Sequence, residues 1–312
     1  MNILSLCDGM SCGQIALKEL GVKVDHYYAA EIKPIAVKVT KENFPDTIFI
    51  GDVTKISYKD GVLTTETGTY MVDFDLVMFG SPCQTFSVAM KTDKRIGLKD
   101  MEKSGLFLEC YRILKEVNPK YFFIENVASM TEENRNILSA TIGVQPYKVQ
   151  AGDYGPVLRN RYYWTNIPFT PTKVKDAANL QDILETGYTD RKKGRCLLVS
   201  DSRPLSTPIK MFHRYRGTGF TTLIFKSEEH YNQCCECYDK YYAGKPAKEM
   251  TADDPNNAIF AGVRYLTQRE TERAHGIPEG YTNCLTENEA KDVIGDGWSV
   301  YVIKDFFKFF KK

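Results

Sequence analysis

The chain has 312 residues, 43% of them hydrophobic and 26% charged, which is the composition of a globular protein with one large or two modest domains. No run of 18 apolar residues occurs, which excludes a membrane-spanning helix, and the formal net charge of +1 by itself indicates no partner. The nine cysteines are scattered, so we expect no disulfide framework and a reducing compartment.

Residues 1–168 alternate apolar runs with helical stretches, the rhythm of a mostly parallel α/β sheet. The chain start lacks the features of a signal peptide and is predicted to be the first strand. The predicted strands are 3–6, 27–30, 48–50, 76–79 and 121–124, and the predicted helices between them are 14–20, 34–43 and 105–117.

This rhythm is lost in residues 169–261, which are rich in polar, basic and turn residues, with short β-like pieces such as 221–225. We interpret them as a smaller, irregular second domain. Order returns in residues 262–312, where Thr267 and Thr286 each begin a capping box that predicts a helix. A final helix is predicted over 299–310, and its phenylalanine-rich stripe favours core packing over a membrane surface.

Two predicted strands end in residues that suit chemistry. The run 76–79 ends in a Gly-Ser-Pro turn followed by Cys83, and the run 121–124 is followed by Glu125. A thiol on a rigid turn at a strand end suits a nucleophile better than a core residue. The thiol and the carboxylate together outline an active site.

A glycine-rich turn, residues 8–13, directly follows the first strand, and Glu31 lies 22 residues past Gly9. Small residues let a ligand approach the backbone, and an acid at this spacing bonds the ribose of a nucleotide. The turn matches neither a dinucleotide motif nor a phosphate loop, so a nucleoside cofactor without a phosphate chain, such as S-adenosylmethionine, fits best. A tight structural turn is the alternative.

Taken in order, the motifs of the chain resemble those of the DNA (cytosine-5) methyltransferases. The motifs are residues 4–9 (Leu-Ser-Leu-Cys-Asp-Gly), Glu31, 43–45 (Asn-Phe-Pro), 51–53 (Gly-Asp-Val), 80–84 (Gly-Ser-Pro-Cys-Gln), 125–127 (Glu-Asn-Val), 159–161 (Arg-Asn-Arg), 265–270 (Tyr-Leu-Thr-Gln-Arg-Glu), 276–278 (Gly-Ile-Pro) and 295–300 (Gly-Asp-Gly-Trp-Ser-Val). Residues 23–25 and 161–164 make the chain similar to the eukaryotic de novo branch and to its phage and bacterial relatives.

The resemblance implies a Rossmann-like S-adenosylmethionine-dependent methyltransferase fold, with a mostly parallel sheet and helices on both faces. It assigns residues 1–168 to a catalytic domain, 169–261 to a target-recognition domain, and 262–312 to a segment that returns to complete the catalytic domain. The implied cofactor residues are Cys7, Asp8, Gly9, Glu31, Ile32, Asp52, Val53, Ser81, Pro82, Trp298 and Ser299. Many relatives have phenylalanine at the position of Cys7, and the smaller side chain predicts a weaker contact with the cofactor. No metal is expected.

The implied reaction is methyl transfer to C5 of cytosine. Cys83 would add to C6 of the ring and so activate C5, while Glu125 would hold N3. Arg159 and Arg161, expected on the same face of one strand, would hold the base and the thiolate.

Duplex DNA is the expected partner, with the target cytosine flipped out of the stack. Residues 85–104 are interpreted as a loop that closes over DNA, and residues 191–216 carry eight basic residues against one acid. Such a run predicts phosphate contacts, although a solvated surface is the alternative. The candidate DNA-binding residues are Gln84, Ser87, Lys91, Arg95, Arg203, Arg214 and Arg216.

Two other functions share these motifs. A tRNA-modifying relative has the same catalytic core, but the Cys-Phe-Thr signature of that branch is absent here. A catalytically silent DNA-binding relative would not be expected to keep Cys83, Glu125, Arg159 and Arg161 together. We expect a monomer that works alone, beside a restriction nuclease, or in viral self-protection. The resemblance also implies an intracellular location, in the cytoplasm or nucleoid of a bacterium or a phage-infected host. Cys234, Cys235 and Cys237 have poor spacing for a zinc site.

Overall fold

The structure is a computed structural model that describes residues 1–81, 101–197, 205–219 and 221–311, with the backbone alone for 101–104. The described chain forms two compact units. The first unit comprises Met1–Ala151, Asn160–Lys173 and Gly297–Lys312, and the second comprises Gly152–Arg159 and Val174–Asp296. The segment 262–312, predicted to return as a whole, is divided between the units at Gly297.

The helices and strands follow in chain order. They are β1 (Asn2–Leu6), α1 (Cys12–Glu19), β2 (His26–Ala30), α2 (Pro34–Asn43), β3 (Ile48–Phe49), β4 (Ser57–Lys59), β5 (Val62–Thr65), β6 (Gly68–Met71), β7 (Leu76–Gly80), α3 (Met101–Val117), β8 (Tyr121–Val127), α4 (Glu132–Ile142), β9 (Tyr147–Gln150) and β10 (Asn160–Thr165). The second unit adds α5 (Pro208–Thr218), α6 (Glu228–Tyr241), α7 (Asn257–Phe260), α8 (Gln268–His275) and α9 (Glu287–Asp296), and α10 (Val300–Phe307) belongs to the first unit.

A seven-stranded sheet with the order β3-β2-β1-β7-β8-β10-β9 forms the centre of the first unit. β1, β2, β3, β7 and β8 are parallel, while β10 runs antiparallel to both β8 and β9. The apolar run of β7 is buried between its neighbours, as expected for a strand inside a parallel sheet. The five predicted strands and the α/β fold class are confirmed.

A second, antiparallel sheet of β4, β5 and β6 follows β3 and was not predicted. Asp60 and Gly61 both have positive φ, 51° and 80°, in the two-residue turn between β4 and β5. An Asp-Gly pair between short strands is typical of a hairpin, so the sequence does contain a signal for the β4–β5 hairpin. Tyr70 packs edge-on against Tyr28 of the large sheet, with ring centroids 5.2 Å apart.

The second unit is more helical than its sequence suggested. α5 and α6 begin at the capping residues Thr207 and Ser227, whose side chains accept backbone N–H bonds, and the helices share a core that includes Phe212 and Tyr238. The predicted β-like piece 221–225 is not a strand. It makes isolated bridges, between Tyr188 and Phe225 and between Ile224 and Arg264. The capping box at Thr267 is confirmed and begins α8.

α10 returns to the first unit and packs against α1. Lys304 on α10 bonds Glu19 at 2.6 Å, and the side chains of Phe306 and Phe307 are fully buried. The prediction that the phenylalanine stripe packs into the core is therefore confirmed. Within the described ranges, every helix is too short or too polar to cross a bilayer.

Candidate active site

Five strands of the first unit bring their carboxyl ends to one edge of the sheet. Because β3, β2, β1, β7 and β8 are parallel neighbours, the residues that follow them lie in a row. β10 is antiparallel to β8, so its beginning lies at the same edge, and Arg161 stands opposite Val127 in the register. The fold therefore gathers the polar residues that the sequence placed after separate strands.

Glu125 and Arg161 form an ion pair at this edge. Nε of Arg161 lies 2.7 Å from Oε1 of Glu125, and the two side chains are only 13% and 9% exposed. A further N–H of Arg161 donates to the carbonyl of Asn160 at 3.0 Å. Opposite charges at this distance and low exposure restrict the positions of both side chains.

Gly80, the last residue of β7, leaves room for two of these side chains. A Cβ at Gly80 would lie 2.5 Å from Nε1 of Trp298 and 3.2 Å from Oε2 of Glu125. The indole of Trp298 packs edge-on against Phe123 of β8, with ring centroids 5.4 Å apart. The end of β7 therefore requires glycine, because the indole of Trp298 and the carboxylate of Glu125 approach its backbone closely.

The next residue, Ser81, is buried and accepts a hydrogen bond from Nδ2 of Asn126 at 3.2 Å. Oδ1 of the same Asn126 accepts from the N–H of Val127 at 2.8 Å. Asn126 thus links the chain that leaves β7 to the end of β8. This contact fixes the position of the backbone two residues before Cys83.

Arg159 does not share a strand with Arg161. β10 begins at Asn160, and Arg159 belongs to the second unit, where it is buried and donates to the carbonyl of Gly295 at 3.1 Å and to Sγ of Cys196 at 3.4 Å. The expected common strand face for the two arginines is therefore wrong, because the strand starts between them.

Glu31 organises the turn after β1. Its Oε2 accepts the N–H of Gly9 at 2.7 Å, and its Oε1 accepts the N–H groups of Ile32 and Lys33 at 2.8 Å and 2.7 Å. Gly9 has a φ of 59°, and a Cβ there would meet no atom within 4 Å. Open space therefore borders the turn, and a left-handed conformation favours glycine at this position.

Asp8 lies beside this turn and accepts hydrogen bonds from Ser11 and, at 2.6 Å, from the hydroxyl of Tyr27. Burial raises the pKa of its carboxyl to about 6, against the lowering effect of these hydrogen bonds. The Sγ of the preceding Cys7 lies 3.8 Å from Sγ of Cys110. Burial also raises the pKa of the Cys110 thiol.

Asp52 follows β3 and caps a short 3-10 helix, because its Oδ1 accepts the N–H of Thr54 at 2.9 Å. Its own N–H donates to Oε2 of Glu66 at 3.3 Å. Glu66 is in the turn between β5 and β6 and was missed by sequence reasoning. The Asp-Gly signal of the hairpin predicts the strands, but it does not predict which residue reaches Asp52.

The residues at the β1–β3 end of the edge fit a nucleoside. Glu31 presents a carboxylate after β2, the turn at Gly9 leaves open space, and Ile32 presents an apolar side chain that is 70% exposed. An exposed apolar side chain beside a carboxylate could hold a base together with the hydroxyls of its sugar. Val53 is buried, and Ser299 is buried at the start of α10.

Two cations of the basic run in the second unit bind backbone carbonyls of that unit. Lys193 Nζ donates to the carbonyls of Gly155, Ala177 and Ala178 at 3.1, 2.9 and 2.7 Å. Arg191 donates to the carbonyl of Thr221 at 2.6 Å. These two cations stabilise the fold of the unit, so the expectation that the whole run meets phosphates is too broad.

The two candidate DNA-binding residues described in this unit both lie on α5. Arg216 is exposed and pairs with Asp239 at 2.7 Å, while Arg214 is half-buried. Cys234, Cys235 and Cys237 lie on α6, where Nε2 of His230 is 2.7 Å from the carbonyl of Ile259. Across the described part of the chain, no cluster of three His, Cys, Asp or Glu side chains could hold a metal ion.

Several predicted site residues lie outside the described residues. They are Pro82, Cys83, Gln84, Ser87, Lys91, Arg95 and Arg203. Most of the predicted loop 85–104 lies there as well.

Comparisons with known proteins agree with this arrangement. The family model described as C-5 cytosine-specific DNA methylase matches residues 1–155. Type II methyltransferase M1.ScrFI of Lactococcus lactis subsp. cremoris is 27% identical over 308 residues, which cover 90% of this chain and 70% of that protein. Type II methyltransferase M.NlaIV of Neisseria lactamica is 33% identical over 193 residues, covering 55% of this chain and 42% of that protein, so the match spans less than half its length.

The fold is also found in solved structures. A mutant of Spodoptera frugiperda DNMT2 has a TM-score of 0.62 with 19% identity, and the alignment covers 100% of this chain and 99% of that one. At this identity the likeness concerns the fold, which extends through both units.

Proposed function

Since the chain belongs to the family of C-5 cytosine-specific DNA methylases, we propose that it transfers a methyl group from S-adenosylmethionine to C5 of a flipped-out cytosine in duplex DNA. The observation that carries this proposal is the Glu125–Arg161 pair at 2.7 Å, beside the strand end that leads to Cys83. A carboxylate held next to the nucleophile's strand is what addition to a pyrimidine ring requires.

Cys83 begins the reaction by adding its thiolate to C6 of cytosine. The new C–S bond breaks the C5–C6 double bond and moves its electrons toward C5 and N3. Glu125 would donate to or hold N3, where charge develops, and Arg161 would keep the carboxyl group in position. S-Adenosylmethionine supplies an electrophilic methyl group to C5. Removal of the C5 proton then restores the double bond and releases Cys83.

The cofactor would be held along the β1–β3 end of the sheet edge. Glu31 would bind the ribose hydroxyls, since a carboxylate accepts more hydrogen bonds than the three backbone donors it already has. Ile32 would pack against the base, and the backbone at Gly9 would allow close approach. Trp298 would border the site at the β7 end.

The second unit would bind the DNA. Base flipping requires a protein surface that holds the duplex backbone, and phosphate contacts come mainly from arginine and lysine. Arg214 and Arg216 on α5 are the described candidates, with Arg203 as a third from the sequence. The names of the type II relatives support a role in DNA modification, where a restriction nuclease would be the partner.

Transfer of a labelled methyl group to duplex DNA and to tRNA tests the proposal. We expect labelling of DNA by the wild type, no labelling by Cys83→Ala, and no labelling of tRNA. Labelling of tRNA alone would assign the tRNA-modifying function, and labelling of neither substrate would indicate a silent relative. Equal labelling of DNA by Cys83→Ala would exclude the covalent mechanism.

A further inference from the structure

We propose that Glu66 is a positioning residue for the base of the cofactor, and that the small sheet of β4, β5 and β6 holds Glu66 in the position this role requires. The inference rests on the proposed function, since it concerns how the same site holds S-adenosylmethionine. Glu66 acts through the backbone at Asp52, whose N–H it accepts at 3.3 Å.

The order of the strands determines where the base must lie. Glu31 after β2 is the ribose position, while the methyl group must reach the cytosine held by Glu125 at the end of β8. β1 and β7 separate β2 from β8, so the sulfonium end of the cofactor extends from the ribose toward β7. The base leaves the ribose on the opposite side, which is the side of β3, Asp52 and Val53.

Two hydrogen bonds attach the β5–β6 turn to this end of β3. The hydroxyl of Thr67 donates to the carbonyl of Phe49 at 3.0 Å, and the N–H of Asp52 donates to Oε2 of Glu66. The two bonds lie on either side of Gly51. The backbone that leaves β3 is thereby held by side chains from the small sheet.

Gly51 shows that the carboxylate approaches the backbone closely. Gly51 has a φ of 79°, and a Cβ there would lie 3.0 Å from Oε2 of Glu66. A left-handed backbone conformation already favours glycine, and the carboxylate occupies the space that a side chain would need. The carboxylate of Glu66 therefore lies directly against the turn after β3.

The small sheet is attached firmly enough to hold this position. The backbone N–H of Tyr58 on β4 donates to Glu116 at 2.9 Å, and Arg112 donates to the carbonyl of Ile56 at 2.8 Å, so α3 holds one side of it. Tyr70 on β6 packs against Tyr28 on β2. The sheet is thus tied to α3 and to the strand that precedes Glu31, and both ends of the nucleoside position depend on the same support.

The test compares Glu66→Ala with Glu66→Gln, which keeps an oxygen that can accept the Asp52 N–H. Thr69→Ala is the matched control, because Thr69 is an exposed polar residue of the same sheet. Binding of S-adenosylhomocysteine is measured by calorimetry. We expect its Kd to rise about fivefold in Glu66→Ala, the scale of one hydrogen bond to a charged acceptor at an exposed site. Glu66→Gln and the control should stay within about twofold of the wild type on the same scale.

Kinetics separate positioning from general stability. We expect Glu66→Ala to raise KM for S-adenosylmethionine with kcat unchanged, and to leave the Tm of the free protein unchanged. A wild-type Kd in Glu66→Ala, or a fall in Tm with an equal fall in kcat, would overturn the inference. If the wild type itself bound no S-adenosylhomocysteine, the proposed function would be wrong. If the wild type and Glu66→Ala bound it equally well, only the inference about Glu66 would be wrong.

Discussion

The sheet edge of the first unit and the basic run of the second unit use their charged side chains in opposite ways. At the sheet edge, Glu125, Arg161 and Glu31 lie where strands end, and each is held by a short contact of 2.7 Å. In the basic run, Lys193 and Arg191 are bound by backbone carbonyls of their own unit. Residues at the edge are held by contacts with one another and with the turn after β1, whereas Lys193 and Arg191 of the run hold the fold of their own unit.

This difference shows when the position of a charged residue in the sequence predicts its neighbours in the fold. A carboxylate after a parallel strand has its location determined by the strand, so its neighbours follow from the sheet order. A lysine in an irregular segment has no such constraint, and its partners can be any carbonyl that the fold brings near. Charge at a strand end therefore predicts function better than charge in a run.

The largest effect is expected at the sheet edge, from Glu125→Gln. Loss of the acid at N3 should lower kcat for DNA methylation by about 10²- to 10⁴-fold, the usual contribution of a positioned acid or base. Single-turnover transfer of a labelled methyl group measures this. Glu133→Gln, an exposed residue of α4, is the control and should keep full activity. Full activity in Glu125→Gln would exclude a catalytic role for Glu125.

The next effect concerns the space at Gly80. In Gly80→Ala the new Cβ would lie 2.5 Å from Nε1 of Trp298, so the indole must shift and Glu125 with it. We expect kcat to fall by about tenfold to a hundredfold, as small misplacements of catalytic groups do. Gly105→Ala is the matched control, because a Cβ there meets no atom within 4 Å on a helix, and it should stabilise the protein by about 0.5–1 kcal/mol. Equal rates in the two variants would contradict the packing argument.

A pair of variants tests the basic run. Lys193→Ala leaves three backbone carbonyls without their donor and should lower the free energy of unfolding by about 1–3 kcal/mol. Arg214→Ala should weaken DNA binding and reduce the slope of log K against log salt by about one. Chemical denaturation and binding at several salt concentrations measure the two effects. Interchanged results would mean that the roles of the two cations have been assigned the wrong way round.

The smallest effect is the pH dependence at Asp8. Its pKa is raised from 3.8 to about 6 in the folded protein, so between these values the folded state keeps a proton that the unfolded state has lost. The contribution of Asp8 to stability therefore falls as the pH rises from about 4 to about 6. Asp8→Asn should remove this part of the pH dependence while keeping a partner for Tyr27. Urea denaturation across this pH range measures it, and an unchanged profile in Asp8→Asn would count against the assignment.

Much of the first unit could be predicted, because apolar runs and glycine turns report strands and their ends directly. The strands of the parallel sheet, the capping box at Thr267 and the return of α10 were all predicted and are confirmed. The small antiparallel sheet was missed because its strands are three or four residues long and carry few apolar residues. α5 and α6 were missed although Thr207 and Ser227 cap them, since polar composition hid their helical period.

The sequence by itself determined the family, through the order of the motifs around Cys83, Glu125 and Glu31. Only the tertiary structure decided which residues meet. It paired Glu125 with Arg161, separated Arg159 from the strand, brought Glu66 to Asp52 and bound Lys193 inside its unit. These contacts join residues far apart in the chain, and several use backbone atoms that every residue has. The identity and spacing of the side chains therefore do not predict them.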